Sequence, residues 1–238
     1  MWSDLEEESA QQEALRIRYK NSLYDTCKYL LGYKDMTKRT HGDMIDALES
    51  NTQRKLIIMP RGTFKSSVGV VGYSIWRLIR NPNERILIDS ELYTNSKNFI
   101  REMRAHMASE EFIELFGDWE GDQWSEGEIT VNCRTKSFPQ ASVTAGGVGT
   151  TKVGQHFSII IGDDMNSRNN SETPENRQKV VKHYQMNQAI LEPDGTYVLI
   201  GTRYAVDDVY GHVIENELGL KTDPIGITEY EPDRDWET

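Results

Sequence analysis

Only two cysteines, Cys27 and Cys133, occur in 238 residues. That count excludes a disulfide-framed scaffold and points to a reducing compartment. No apolar run approaches the roughly 20 residues needed to cross a bilayer as a helix. The opening Met1-Trp2-Ser3-Asp4-Leu5-Glu6-Glu7-Glu8 is acidic and lacks the shape of a secretory signal. Positive charge is also scarce: 27 Lys and Arg face 38 Asp and Glu, a net charge of −11. A surface that binds nucleic acid over its whole area is therefore excluded. A local basic strip is not, because electrostatic affinity depends on where charges sit as well as on their sum. There is no internal repeat and no long low-complexity tract. The length suits one large α/β domain or two small ones.

What is present is an alternation of helical and extended patterns. Residues 5–31 read as a helix with Leu15, Tyr19, Leu23 and Tyr29-Leu30-Leu31 as its apolar stripe, stopped by Gly32. Residues 36–42 read as a loop, followed by a short helix to Glu49. Residues 55–59 form the first core strand, and a helix after Lys65 places Val68, Val71, Ile75 and Leu78 on one face. Residues 85–89 are a second strand and 94–116 a helix with Phe99, Met103 and Met107 inward. An irregular acidic loop is expected over 117–127. Residues 128–133 and 141–145 read as a strand pair around Arg134-Thr135-Lys136, then a flexible glycine-rich segment over 145–151. The continuously apolar run 157–161 suits a strand buried on both faces. Thr173-Pro174-Glu175 is a helix start, with a hydroxyl cap, proline at the first position and an acid in the first turn. That helix runs to Leu191, Pro193-Asp194-Gly195 is a turn, and residues 197–200 form another buried strand. A helix over 207–217 and a last strand over 225–230 complete the pattern. Strands alternating with helices imply an α/β fold with a mostly parallel central sheet flanked by helices.

In such sheets ligands bind beyond the C-terminal ends of the strands. Three polar clusters fall there. The first is Pro60-Arg61-Gly62-Thr63-Phe64-Lys65-Ser66-Ser67, a turn between a strand and a helix. A turn of this type cradles phosphates on backbone N–H groups, with Lys65 reaching the β/γ oxygens and Ser66 able to ligate Mg²⁺. It departs from G-x-x-x-x-G-K-[ST], with Met59 and Phe64 in the two glycine positions. The second cluster is Asp163-Asp164, two acids closing an apolar strand, which is costly without a cation. The third is Gly201-Thr202-Arg203-Tyr204.

With these three clusters the chain resembles the ATPase domain of the large terminase subunit of tailed bacteriophages, over roughly residues 30–215. Residues 60–66 look like that family's arginine-bearing Walker A variant. Asp163-Asp164 looks like its Walker B pair with Asp in place of the commoner Glu, and residues 201–204 look like its coupling motif. The resemblance implies a RecA-like (ASCE) P-loop NTPase fold. It also implies hydrolysis of ATP with Mg²⁺ to pump double-stranded DNA into a procapsid. The implied partners are a portal protein, a small terminase subunit and further copies of the chain in a ring. The implied setting is the host cell cytoplasm, with no membrane. The implied organisation is a helical lead-in over 1–50, an ATPase core over 51–220, and a last strand with the start of a linker to a nuclease domain over 221–238.

By that resemblance Lys65 holds the β/γ-phosphates, Ser66 and Asp163 hold Mg²⁺, and Asp164 orients the attacking water. Arg61 senses the γ-phosphate and Thr202 signals its loss. His41 lies in the segment 37–41, where the family contacts adenine. Candidates for a finger reaching a neighbouring subunit are Arg101, Arg104, Lys152 and Arg168; the stretch 152–156 holds no arginine. Candidates for DNA contact are Arg134, Lys136, Lys179 and Lys182. Two other readings stay open: another RecA-like or helicase-like ATPase acting on nucleic acid, and a nucleotide-gated assembly module in which Phe64 has spoiled hydrolysis.

Overall fold

A computed structural model describes residues 2–150, 152, 154–218 and 226–230. Thr151 and Val153 of the expected glycine-rich segment and its neighbourhood lie outside the described residues. So do Ile225 and most of the expected linker over 221–238. The helices are α1 (Trp2–Asn21), α2 (Leu23–Asp25), α3 (Lys38–Glu49), α4 (Tyr73–Arg80), α5 (Tyr93–Met107), α6 (Glu110–Phe116), α7 (Pro174–Ala189) and α8 (Val209–Asn216). The strands are β1 (Arg54–Ile58), β2 (Ile86–Ser90), β3 (Glu120–Trp124), β4 (Glu128–Val131), β5 (Val143–Gly147), β6 (Phe157–Asp163), β7 (Leu191–Gly201) and β8 (Gly226–Tyr230).

All eight strands join one sheet in the order β3-β4-β5-β2-β6-β7-β1-β8. The five central strands are parallel, while β3, β4 and β8 pair antiparallel at the edges. The expected mostly parallel sheet flanked by helices is the observed one. Ile159, Ile160 and Ile161 are fully buried, which explains why β6 is apolar without alternation. Each such side chain contributes roughly 1.5–3 kcal/mol of burial. One face of the sheet packs on a cluster that includes Tyr19, Leu23, Leu48, Val71, Ile75 and Met103. Tyr19, Leu23 and Leu48, which precede β1, therefore share the core of the sheet. The other face packs on α7 and α8 through Val180, Tyr184, Val209 and Val213.

Several local expectations need correction. The stretch 36–42 is not all loop: α3 begins at Lys38, because the Thr37 hydroxyl accepts from the Thr40 N–H and caps it. The helix expected over 5–31 breaks at Ser22 and closes in a π-helical turn, Thr26–Leu30, whose extra residue turns Tyr29 out to solvent. The helix expected over 94–116 is two, with Ser109 capping the second. The acidic segment 117–127 contains β3, a polar edge strand with no apolar alternation to betray it. The glycines at 146 and 147 belong to β5 and are buried. A Cβ on Gly147 would lie 2.6 Å from the Tyr93 backbone nitrogen, so the glycine serves close approach. Pro193-Asp194-Gly195 sits inside β7 as a bulge, where the register against β6 shifts between Phe157↔Leu191 and Ile159↔Thr196.

Candidate functional site

The register decides what meets at the sheet edge. Ile58 of β1 is level with Gly201 of β7, Ile200 of β7 with Asp163 of β6, and Ser90 of β2 with the same Asp163. Beyond β1, residues 60–66 turn back toward a helix that begins as a π-helical segment, Ser67–Gly72, and continues as α4. Gly62 (φ +76°) and Phe64 (φ +62°) both adopt left-handed backbone. For glycine this is free; for phenylalanine it is strained and must be held by its surroundings. The Phe64 ring packs edge-on against Tyr33, with centroids 5.3 Å apart, and stays 38% exposed. Tyr33 is fixed in turn by Glu102, whose carboxylate accepts its hydroxyl at 2.9 Å. A small cavity of about 250 Å³ is lined by Gly62, Thr63, Phe64, Lys65, Ser66 and Ser67.

Lys65 and Asp164 form an ion pair, Nζ to Oδ2, at 3.4 Å. The Ser66 hydroxyl donates to Asp163 Oδ1 at 2.9 Å. The two acids are placed differently. Asp163 ends β6 and is buried; its carboxyl is pushed up to about 7, first by burial and then by Asp164, with Ser66 and Lys65 opposing. Asp164 turns out of the strand at φ +40°, its N–H donating to the Ile200 carbonyl at 2.9 Å. Its Oδ1 is buried without a partner. The site thus offers three hard oxygen donors (Ser66 Oγ, Asp163 and an orphaned Asp164 oxygen) beside one lysine. That donor set fits a magnesium ion, and the N–H-rich turn fits a phosphate.

The remaining expected residues fall as follows. Thr202 Oγ1 donates to the Met59 carbonyl at 3.2 Å, and the Met59 N–H donates to Gly201 at 3.2 Å. The ends of β1 and β7 are therefore pinned to each other. Pro60 and Arg61 are exposed, with Arg61 Cζ 5.3 Å over the Tyr204 ring. His41 is only 3% exposed and lies beneath the loop. With its proton on Nε2, it donates to the Thr63 carbonyl at 2.9 Å while Nδ1 accepts from the Thr37 N–H at 3.1 Å. Both ring nitrogens are occupied by protein. Arg101 and Arg168 are exposed, Lys152 is half-buried, and Arg104 lies 5.9 Å over the Trp124 ring. Arg134 donates to the carbonyls of Gln140 and Glu84, and the Lys136 N–H donates to Asn83; both residues thus sit by the start of β2, at the sheet end opposite the site. Lys179 and Lys182 are exposed on α7.

One polar cluster at this edge escaped the sequence. Asp89, the penultimate residue of β2, is buried and its Oδ2 accepts from His183 Nε2 at 2.6 Å and from the Asn187 amide. The signal was present: Ile86-Leu87-Ile88-Asp89 is an apolar run ending in an acid, as at Asp163, and His183 and Asn187 share a helix face at i, i+4.

Strand β1, which leads into residues 60–66, and the acid-bearing strand β6 are separated by one parallel strand, β7. The mostly parallel sheet flanked by helices fits the RecA-like fold that the resemblance implies. No protein-family model matches the chain. No curated protein matches it. Among solved structures, a variant of Dbp5 from S. cerevisiae bound to Nup159, a Gle1 variant, IP6 and ADP is similar. The identity is 14% and the TM-score 0.49, over 79% of this chain and 48% of that one. The chain thus spans about half the length of that structure.

Proposed function

We propose that this protein is a Mg²⁺-dependent ATPase and the motor domain of a large terminase subunit, driving double-stranded viral DNA into a procapsid. The observation that carries the ATPase reading is the pairing of Ser66 with Asp163 at 2.9 Å beside Lys65 with Asp164 at 3.4 Å, two contacts bridging about a hundred residues at one sheet edge. What supports the terminase reading is the trio of motifs, residues 60–66, Asp163-Asp164 and 201–204, in the family's order and spacing. With it come a portal protein, a small subunit, a ring of copies and the host cytoplasm as the proposed setting. The proposed division is a lead-in over 1–50, a core over 51–220 and a strand and linker over 221–238. No helix among the described residues is long and apolar enough to cross a membrane.

Phosphoryl transfer to water needs positioning and charge neutralisation more than covalent chemistry. Ser66 and Asp163 would hold Mg²⁺, which when bound neutralises charge on the phosphate oxygens. Backbone N–H groups of 62–67 and the Lys65 ammonium bind the phosphates. Asp164 orients the attacking water; its side chain is about 1.5 Å shorter than a glutamate, and the outward turn at φ +40° offsets that by moving its backbone. Arg61 meets the terminal phosphate, and Thr202 passes the loop's position to β7 through Met59. A binding-only module was suggested by Phe64, but Phe64 adopts the left-handed backbone a glycine would supply.

The test is Mg²⁺-dependent phosphate release by the wild type beside Lys65→Ala and Asp164→Asn. Activity lost in both variants supports the reading. Wild-type binding of ATP without release, alone or with portal and DNA, overturns it. Unwinding of a duplex, in place of translocation without strand separation, would assign the chain to a helicase-like ATPase.

A further inference from the structure

Arg61 is the cation of the phosphate loop that no acid among the described residues neutralises. Lys65 pairs with Asp164, whereas among the described residues no carboxylate pairs with Arg61; its partner is the face of Tyr204, 5.3 Å away. The backbone that carries that ring is anchored. The Tyr204 N–H donates to Asp208 Oδ2 at 3.0 Å, and the Ala205 N–H donates to the same oxygen at 3.2 Å. Asp208 is fully buried, and its other oxygen accepts from Gly211 at 2.9 Å, capping α8. Arg203 donates to the carbonyls of Ala205 and Val206 and closes the turn. Two residues upstream, Thr202 is bonded to Met59. The turn 202–208 is thus anchored at both ends and presents one aromatic face to the loop.

We propose that Tyr204 is the positioning residue for Arg61, and that the pair sets the protein's preference for a nucleoside triphosphate over a diphosphate. The proposal rests on the ATPase reading and adds a residue and a selectivity to it. Arg61, Thr202 and Asp164 all gather at the end of β7, since the Asp164 N–H bonds Ile200. The terminal phosphate must lie where Asp164 can reach the attacking water. Lys65 and the loop amides serve any phosphate chain; a guanidinium at this strand end gains a contact only when the third phosphate is present. A guanidinium stacked on one face keeps its edge N–H donors available for bidentate contact with phosphate oxygens.

The test is equilibrium binding of Mg-ATP and Mg-ADP to the full chain, comparing wild type, Arg61→Ala, Tyr204→Leu, Tyr204→Phe and the double variant Arg61→Ala/Tyr204→Leu. A cation–π contact at an exposed site corresponds to about a 2- to 5-fold change. The ATP-to-ADP affinity ratio is expected to fall by that factor in Tyr204→Leu, to fall at least as far in Arg61→Ala, and to fall no further in the double variant. Tyr204→Phe keeps the ring face and should keep the ratio. A role confined to holding the turn together would weaken ATP and ADP equally, and that result overturns the proposal, as does multiplication of the two effects in the double variant. If wild type binds both nucleotides and Tyr204→Leu leaves the ratio unchanged, this proposal falls and the ATPase reading stands. If wild type binds neither, both fall.

Discussion

Lys65 Nζ lies 3.4 Å from Asp164 Oδ2, so the lysine proposed to bind phosphate is shared with the acid proposed to orient water. A phosphate entering the loop competes with Asp164 for the same ammonium. Removing the acid's charge should therefore free the lysine while disabling turnover. Asp164→Asn is expected to bind ATP at least as tightly as wild type, with a gain limited to a few-fold because an ion pair whose acid is over a third exposed is worth only about 0.2–1 kcal/mol. Its turnover should fall about 10²–10⁴-fold, the usual loss for a general base or water-orienting group. Lys65→Ala should lose binding and turnover together. Calorimetric titration of ATP into Asp164→Asn decides: weaker binding than wild type would refute the competition.

The parallel sheet and the two facing motifs were legible because burial and chemistry leave opposite traces in sequence. Ile159, Ile160 and Ile161 announce a strand covered on both faces, and the acids that follow announce its open end. Strand order was not legible: nothing local says that β7 inserts between β1 and β6, since that depends on pairing across residues far apart in the chain. β3 was missed because an edge strand with four polar or glycine residues before its single core-packed Trp124 carries no apolar period. The supports of the loop were missed for a related reason. Tyr33, Tyr204 and Asp208 act through single contacts to residues 31 or more positions away or through backbone amides, and a lone tyrosine or aspartate has no spacing to read.

Asp163 makes the stability of the protein depend on pH in the unusual direction for a carboxylate. Its folded value of about 7 exceeds its ordinary value of 3.8. The unfolded chain ionises first, so this group's contribution is fully present below pH 4 and is lost as pH rises to about 7. The upper bound is about 4 kcal/mol, shared with Lys65 and Asp164. Asp163→Asn removes the term and keeps an acceptor for the Ser66 hydroxyl. Thermal melts at pH 5 and pH 8 should show the variant gaining on wild type as pH rises. Added Mg²⁺ should raise the wild-type melting temperature at pH 8 and leave the variant unmoved; a pH-independent difference between the two proteins would disprove the assignment.

Phe64 separates backbone strain from side-chain contact. Phe64→Gly relieves the left-handed strain, about 1–2 kcal/mol for a non-glycine residue, and loses the Tyr33 contact. Phe64→Ala loses the contact and keeps the strain. The alanine variant is therefore expected to be less stable than the glycine variant by about 1 kcal/mol, after allowing for the greater unfolded-state entropy of glycine. Urea denaturation measures this directly. An alanine variant as stable as the glycine variant would mean that the loop relaxes out of the left-handed conformation when the ring is gone.

His41 distinguishes support of the loop from recognition of the base. The resemblance places the segment 37–41 beside adenine, yet His41 is 3% exposed and spends both ring nitrogens on Thr37 and Thr63. Its bond to the Thr63 carbonyl holds the loop one residue before the strained Phe64. His41→Ala leaves that carbonyl without its donor and opens space beneath the loop, at a cost of about 1–3 kcal/mol if the oxygen stays dry. If the histidine acts by shaping the cradle, the variant should bind ATP and GTP more weakly by the same factor, since the phosphates of the two are alike. If it reads adenine, ATP should weaken and GTP should not. Parallel titrations of both nucleotides into wild type and His41→Ala are expected to give equal losses, about tenfold each for 1.4 kcal/mol transmitted to the loop. A loss confined to ATP would move His41 from beneath the phosphates to the base.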